Sequence, residues 1–350
     1  MRFRLPQRSL RRLALGALAL AALAALAAAP AADAVAGSAV FLMYHRFGET
    51  RLPSTNVTIE QFEAHIAELK NDGYTVLPVP EIVAALKSGA PLPDRAIGIT
   101  IDDAYASVYR EAWPRFKAAG LPFTLFVSTD AVDKGLRGMM TWEQIRELAG
   151  GGVTIGHHGA AHAHMAQADP AENAADIARA SGRFEAELGR APELFAYPYG
   201  EYGTALRDTV AASGFAAAFG QQSGVAHNRS DMFALPRYAL NEQYGNIKRF
   251  RLVANTLPLP VSDITPSDPL LGPNPPPFGF TVAEGVENLA RLACFASGQG
   301  AAKLERLGSR RIEVRMKAPF PSGRARINCT VPGPDGRWRW FGTQFVVPRG

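Results

Sequence analysis

The stretch Ile97-Gly98-Ile99-Thr100-Ile101-Asp102-Asp103 decides the fold. Ile97–Ile101 is a short apolar run that predicts a buried strand. Two adjacent carboxylates stand where it ends. The same arrangement recurs on both sides. Ala39–Tyr44 is followed by His45, Val153–Gly156 by His157-His158, and Leu194–Ala196 by Tyr197-Pro198-Tyr199. Phe123–Ser128 and Phe215–Phe219 read as further strands. Amphipathic segments lie between them. Thr58-Ile59-Glu60-Gln61 is a capping box, followed by Phe62, Ile66 and Leu69 at helical spacing. Helices are also predicted near Ser107–Ala119, Trp142–Leu148, Ala171–Leu188 and Thr204–Ala212. Alternating strands and helices imply an α/β fold with a parallel sheet, and their number suits a (β/α) barrel of about seven or eight units.

In such a barrel the C-terminal strand ends share one face, where active sites form. Asp103, His158 and His162 offer two imidazole nitrogens and a carboxylate oxygen. That set suits Zn²⁺ with positions left for water and substrate, and iron, nickel or cobalt would accept it. The spacing His158-x-x-x-His162 puts both rings on one side if a turn of helix begins there. Two adjacent carboxylates can divide labour, one holding the metal and one taking a proton from water. Each feature alone has an ordinary explanation, such as a helix cap or a surface His cluster. Four segments that deliver such residues to one rim form the stronger argument.

Thr100-Ile101-Asp102-Asp103-Ala104-Tyr105, with Tyr109, Pro114 and Gly120–Val127, resembles the first signature of the NodB-type polysaccharide deacetylases, carbohydrate esterase family four. Ile155–His162 resembles their His-x-x-x-His signature, and Phe195–Gly200 their Arg-x-Pro-Tyr/Phe segment. The resemblance covers roughly residues 39–240. It implies a distorted (β/α) barrel, here of about seven units. It implies Asp102 as the base, Asp103, His158 and His162 as metal ligands, and the Tyr199 N–H as an oxyanion donor. Ala196 stands where the family has an arginine that orients the base, and Arg237 is the candidate substitute. For the general acid, Met43-Tyr44-His45-Arg46-Phe47 resembles the N-terminal segment of the permuted poly-N-acetylglucosamine deacetylases, which assigns His45. His227 is the other candidate, but it lies in the polar loop Gly220–Ser230. The implied activity is metal-dependent hydrolysis of acetamide groups on an N-acetylated polysaccharide or oligosaccharide, releasing acetate. An O-acetyl esterase and a non-catalytic glycan-binding protein are the alternatives. No Gly-x-Ser-x-Gly elbow supports a serine esterase.

The ends of the chain differ from its middle. Residues 1–36 run from five arginines through an Ala/Leu run to small residues, the order of a signal peptide. The expected location is periplasmic or secreted, or membrane-anchored if the segment is not cleaved. The chain carries +5, but residues 1–34 hold +4 of it and residues 279–350 hold +7, leaving 35–278 acidic. Nucleic-acid binding is therefore disfavoured, while an anionic cell-surface contact through the basic C-terminal part fits. The expected organisation is a signal peptide (1–36), a NodB-like domain (37–256), a Pro-rich linker (257–278) and a small C-terminal β-sandwich (279–350). Its strands are expected at Ala290–Phe295, Arg311–Met316, Ala325–Val331 and Trp338–Val347. Cys294 and Cys329, an even pair in an exported chain, are expected to bond. Trp338 and Trp340 share a strand face, which suits a core or a sugar-binding surface.

Overall fold

In the computed structural model of the protein, residues 37–71 and 73–349 are described, together with Met1. From Arg2 on, the expected signal segment lies outside them. Strand β1 spans Ser38–Tyr44 and β2 spans Ala96–Asp102, with every β2 residue buried. Strands β3 (Thr124–Val127), β4 (Thr154–His157), β5 (Leu194–Ala196) and β6 (Ala217–Phe219) follow, each parallel to the one before. Strands buried on both faces read as apolar runs rather than alternations.

Helices return the chain between strands: α1 (Ile59–Asn71), α2 (Val79–Ser88), α3 (Trp113–Ala119), α4 (Trp142–Gly150), α5 (Pro170–Leu188) and α6 (Thr204–Ala212). The capping box before α1 is formed: the Gln61 N–H donates to Thr58 Oγ1 at 3.2 Å, and the Thr58 N–H to Gln61 Oε1 at 3.1 Å. The helix expected over Ser107–Ala119 is instead a π-helical turn, Val108–Ala112, running into α3. Pro114 lacks the N–H that a regular ladder would need there.

The barrel is closed by a segment rather than by a long strand. The Leu235 N–H donates to the Ala218 carbonyl at 2.9 Å, and Gly220 N–H to the Leu235 carbonyl at 3.0 Å. A few residues on, β8 (Tyr238–Ala239) pairs in parallel with β1 at Leu42 and Met43. The preceding β7 (Ala226–His227) runs antiparallel to the start of β1. Seven strands in the order β7-β1-β2-β3-β4-β5-β6 thus curl into the distorted barrel.

Two further sheets make a sandwich. One contains Leu257–Pro258, Ala293–Ala296, Gly300–Ala301, Gly323–Pro332 and Trp338–Val347. The other contains Val261–Thr265, Phe278–Val282, Lys303–Leu307 and Arg311–Arg315. Phe278, Phe280, Ile312, Val314, Ile327, Val331 and Phe345 fill the space between them. The 257–278 segment is therefore not a free linker. It supplies an edge strand to each sheet and buries Leu259 and Leu271, and edge positions are where strands tolerate proline. Cys294 and Cys329 face each other on paired strands and form a disulfide, with Cα atoms 4.0 Å apart. The two tryptophans part company. Trp338 is exposed, whereas Trp340 packs edge-on against Tyr238 of the barrel at 5.4 Å.

Candidate active site

The C-terminal ends of β1 to β5 converge. Asp102, the last residue of β2, is 0% exposed. Asp103 turns the chain sharply, with φ 61°. This places consecutive carboxylates at one rim with different neighbours. Arg237, in the closing segment and also 0% exposed, donates from Nη1 to Asp102 Oδ1 at 2.6 Å and from Nη2 to Oδ2 at 2.8 Å. Its Nε donates to the Gly220 carbonyl at 2.9 Å. Burial alone would raise the Asp102 carboxyl. The positive charge of Arg237, with smaller effects of His158 and His45, outweighs burial and holds it down at about 2. Asp102 is therefore a carboxylate throughout the neutral range.

Asp103, His158 and His162 form the second cluster, with one ligand atom of each lying within 4.8 Å of the others. Asp103 Oδ1 lies 3.2 Å from His162 Nε2 and 3.7 Å from His158 Nε2. His158 Nδ1 is 2.7 Å from the Ala196 carbonyl, which can only accept. That bond fixes the proton on Nδ1 and leaves the Nε2 lone pair aimed at Asp103. Burial lowers the His158 pKa to about 4, so the ring is neutral. Two imidazole nitrogens and one carboxylate, with His158 oriented from behind, fit a divalent cation.

The histidine spacing works differently from the expected helical turn. Residues 158–162 form a loop in which Gly159 and His162 take positive φ, 71° and 52°. Asp176 on α5 holds the loop, accepting from the Ala160 and Ala161 N–H groups at 2.7 and 3.1 Å. A Cβ at Gly159 would come within 2.9 Å of that carboxylate. The adjacent His157 faces the core, packed on Phe184, Phe195 and Phe215.

Tyr199 lies beside the cluster, its ring centre 4.5 Å from that of His162. It too has positive φ, 59°. Asp103, His162 and Tyr199 thus all hold a conformation that costs a non-glycine residue about 1–3 kcal/mol, the kind of strain that gathers at working sites. His45 stands across the rim, with Nε2 4.0 Å from Asp102 Oδ2. His227 is elsewhere. It pairs with Ser38, at the opposite end of β1 from His45, and the length of that strand puts about 20 Å between them.

Asp102, Asp103, His158, His162, Tyr199, Arg237 and His45 are therefore all at one rim. Residues with no sequence signal also reach it: Asp176, Glu201, and Gln344 and Arg324 from the sandwich. In the C-terminal part Arg310, Arg311 and Arg315 face carboxylates of that part, while Arg324 and Arg337 face Glu201 and Asp94 of the barrel.

A parallel barrel with an arginine-held carboxylate beside an Asp-His-His set defines a hydrolytic class of site. The family profile described as polysaccharide deacetylase matches residues 89–218. Those residues carry a polysaccharide deacetylase domain, and the homologues support a hydrolase of that class. It is 26% identical over 196 residues to YxkH of Bacillus subtilis, assigned as a polysaccharide deacetylase, covering 56% of this chain and 69% of that protein. It is 32% identical over 109 residues to the poly-β-1,6-N-acetyl-D-glucosamine N-deacetylase of Escherichia coli K12, covering 27% of this chain and 16% of that enzyme. The solved structure of IcaB from Ammonifex degensii superposes with a TM-score of 0.55 at 26% identity, covering 63% of this chain and 97% of that one.

Proposed function

We propose that the protein hydrolyses acetamide groups of an N-acetylated polysaccharide, releasing acetate and leaving a free amine. The observation that carries this reading is the buried Arg237–Asp102 pair beside the Asp103–His158–His162 set. It keeps one carboxylate ionised and apart from the ligands, as a base requires. The similarity to an N-deacetylase of poly-β-1,6-N-acetyl-D-glucosamine supports a glycan of that kind. The arginine-rich, Ala/Leu-rich N-terminus and the Cys294–Cys329 disulfide accord with export.

Asp103, His158 and His162 would hold the cation, and Zn²⁺ suits their donor atoms best. A divalent cation held there would supply Lewis acidity to the acetyl carbonyl and lower the pKa of the attacking water. Asp102 takes the proton of that water. The Tyr199 N–H donates to the oxygen on which charge develops. His45 gives a proton to the departing nitrogen. Arg237 keeps Asp102 aligned. No covalent enzyme intermediate is involved.

Acetate release from N-acetylglucosamine oligomers, with Zn²⁺ or Co²⁺ supplied, tests the reading. Acetate and free amine should appear in equal amounts. Release only from O-acetylated glycans would move the activity to an ester. Glycan binding without any release would leave a binding protein.

A further inference from the structure

The turn that carries Tyr199 is gripped from the C-terminal sandwich. Gln344, in the strand Trp338–Val347, is 1% exposed. Its Nε2 donates to the Gly200 carbonyl at 2.9 Å and lies 3.2 Å from the Tyr199 carbonyl. Arg324, in the neighbouring strand Gly323–Pro332, donates from Nη1 to the Tyr199 carbonyl at 3.3 Å. Its guanidinium lies 5.6 Å from the Tyr199 ring centre and its Nε 3.6 Å from Glu201 Oε1. The other Glu201 oxygen is 2.7 Å from His164 Nδ1, and the His164 ring stacks on Tyr199 at 4.2 Å.

This turn needs outside support. The Gly200 N–H donates to the Tyr197 carbonyl at 2.8 Å, and the Glu201 N–H to the Pro198 carbonyl at 3.1 Å. Two tight turns therefore overlap, with Tyr199 and Gly200 both left-handed, φ 59° and 66°. Glycine accepts that conformation freely; tyrosine does not. The easier alternative rotates the Pro198–Tyr199 peptide, giving Tyr199 a negative φ. That rotation points the Tyr199 N–H to the other face of the turn, away from its present direction.

Consecutive peptides oppose the rotation. The Gly200 carbonyl that Gln344 holds belongs to the same peptide as the Glu201 N–H. That N–H holds the Pro198 carbonyl, which belongs to the same peptide as the Tyr199 N–H. Fixing one end of this relay fixes the other. Two glycines make the grip close. A Cβ at Gly342 would lie 2.2 Å from the Ser223 carbonyl oxygen, so the sandwich strand lies directly on the barrel segment. A Cβ at Gly200 would lie 2.4 Å from Gln221 Cβ, so the turn is backed on its other side.

We propose that Gln344, assisted by Arg324, is a positioning residue for the hydrolytic site. The sandwich is thereby a working part of that site, holding the Tyr199 N–H toward the reacting carbonyl. This rests on the deacetylase reading and on Tyr199 as the oxyanion donor within it.

The test uses the full-length, metal-loaded protein and Gln344→Met, which has similar volume and no donor. We expect kcat to fall ~10-fold or more, toward the loss seen when an oxyanion donor is removed. KM, bound metal and thermal midpoint should stay close to wild type, and the Tyr199 backbone amide resonance should shift. Gln344→Lys, which restores a donor, should recover part of kcat. If Gln344→Met does not fold, the partly exposed Arg324→Ala carries the same readouts with a smaller effect. Wild-type kcat together with an unmoved Tyr199 resonance overturns the proposal. So does a loss of kcat in a folded variant whose Tyr199 resonance has not moved. If the wild type releases no acetate from any glycan, the deacetylase reading fails; the Tyr199 resonance in Gln344→Met still decides whether the sandwich sets the turn.

Discussion

Arg237 and Asp102 form a two-bonded ion pair, at 2.6 and 2.8 Å, with no solvent exposure on either side chain. The arginine belongs to the segment that joins β6 back to β1, and the aspartate ends β2. Closing the barrel and ionising this carboxylate are thus linked. Removing one partner of such a pair strands a buried charge and destabilises by about 3–5 kcal/mol. Lysine keeps the charge but not the fork that meets both oxygens. Arg237→Lys should therefore lower kcat by up to ~10²-fold through misplacement of Asp102, with a lower urea midpoint. Turnover at the wild-type rate in the folded variant would remove Arg237 from the site.

The two adjacent aspartates should separate cleanly in metal binding. Asp102→Asn should keep its cation and lose activity ~10²-fold or more. His158→Ala should lose the cation. Zinc at a hundredfold excess over its dissociation constant stabilises a folded protein by about 2.7 kcal/mol. A rise in thermal midpoint with Zn²⁺ should therefore appear in the wild type and in Asp102→Asn but not in His158→Ala. Undiminished metal content in His158→Ala would sink the ligand assignment.

Strands β1 to β6 are legible because each is a short apolar run, and the rim residues follow from the polar residues at or just after the ends of β1, β2, β4 and β5. The two-residue strands β7 and β8 are too short to carry such a signal, so Ala226–His227 reads as part of a polar loop. The means of bringing the rim residues together are not legible either. Arg237 is distant in sequence from Asp102, and only the closing of the sheet at Leu235 and Tyr238 makes them neighbours. The His158–His162 pair depends on a loop held by Asp176, which no spacing rule reveals. Trp338 and Trp340 share a strand face, but strand alternation cannot say which of them meets the barrel. The proline content of 257–278 suggested a linker; its leucines, buried between sheets, decide otherwise.

Acid should weaken the fold through a histidine outside the site. His65 on α1 is fully buried, donates from Nε2 to the Gly245 carbonyl at 2.6 Å, and meets the Tyr44 hydroxyl with Nδ1 at 3.1 Å. It stacks on Phe250. Burial lowers its pKa to about 4, against the pull of the Gly245 bond. The unfolded chain, titrating near the usual value of about 6.5, binds the proton first. The stability from a neutral His65 is thus present above about pH 6.5 and lost as pH falls toward 4, on the order of 3 kcal/mol. Urea midpoints should drop across that window, and His65→Gln should flatten the drop. An identical pH slope in the variant would exclude His65 as a source.

The last prediction concerns the proton donor. His45 stands 4.0 Å from Asp102 at the rim, partly open to solvent. His227 sits at the far end of β1, and burial, with Arg229 adding to it, lowers its pKa to about 4, so it holds no spare proton at neutral pH. An amine leaving from a tetrahedral centre needs protonation, whereas a nitrophenolate leaves without it. His45→Ala should therefore lose ~10²-fold or more on an acetamide, yet keep most of its activity on p-nitrophenyl acetate. His227→Ala should change neither rate per folded molecule. The discriminating measurement is the ratio of the two substrates' kcat values in each variant. An equal loss on both substrates in His45→Ala would point to damage to the site rather than a missing acid. A selective loss on the acetamide in His227→Ala would assign the acid to that residue, against the separation that β1 imposes.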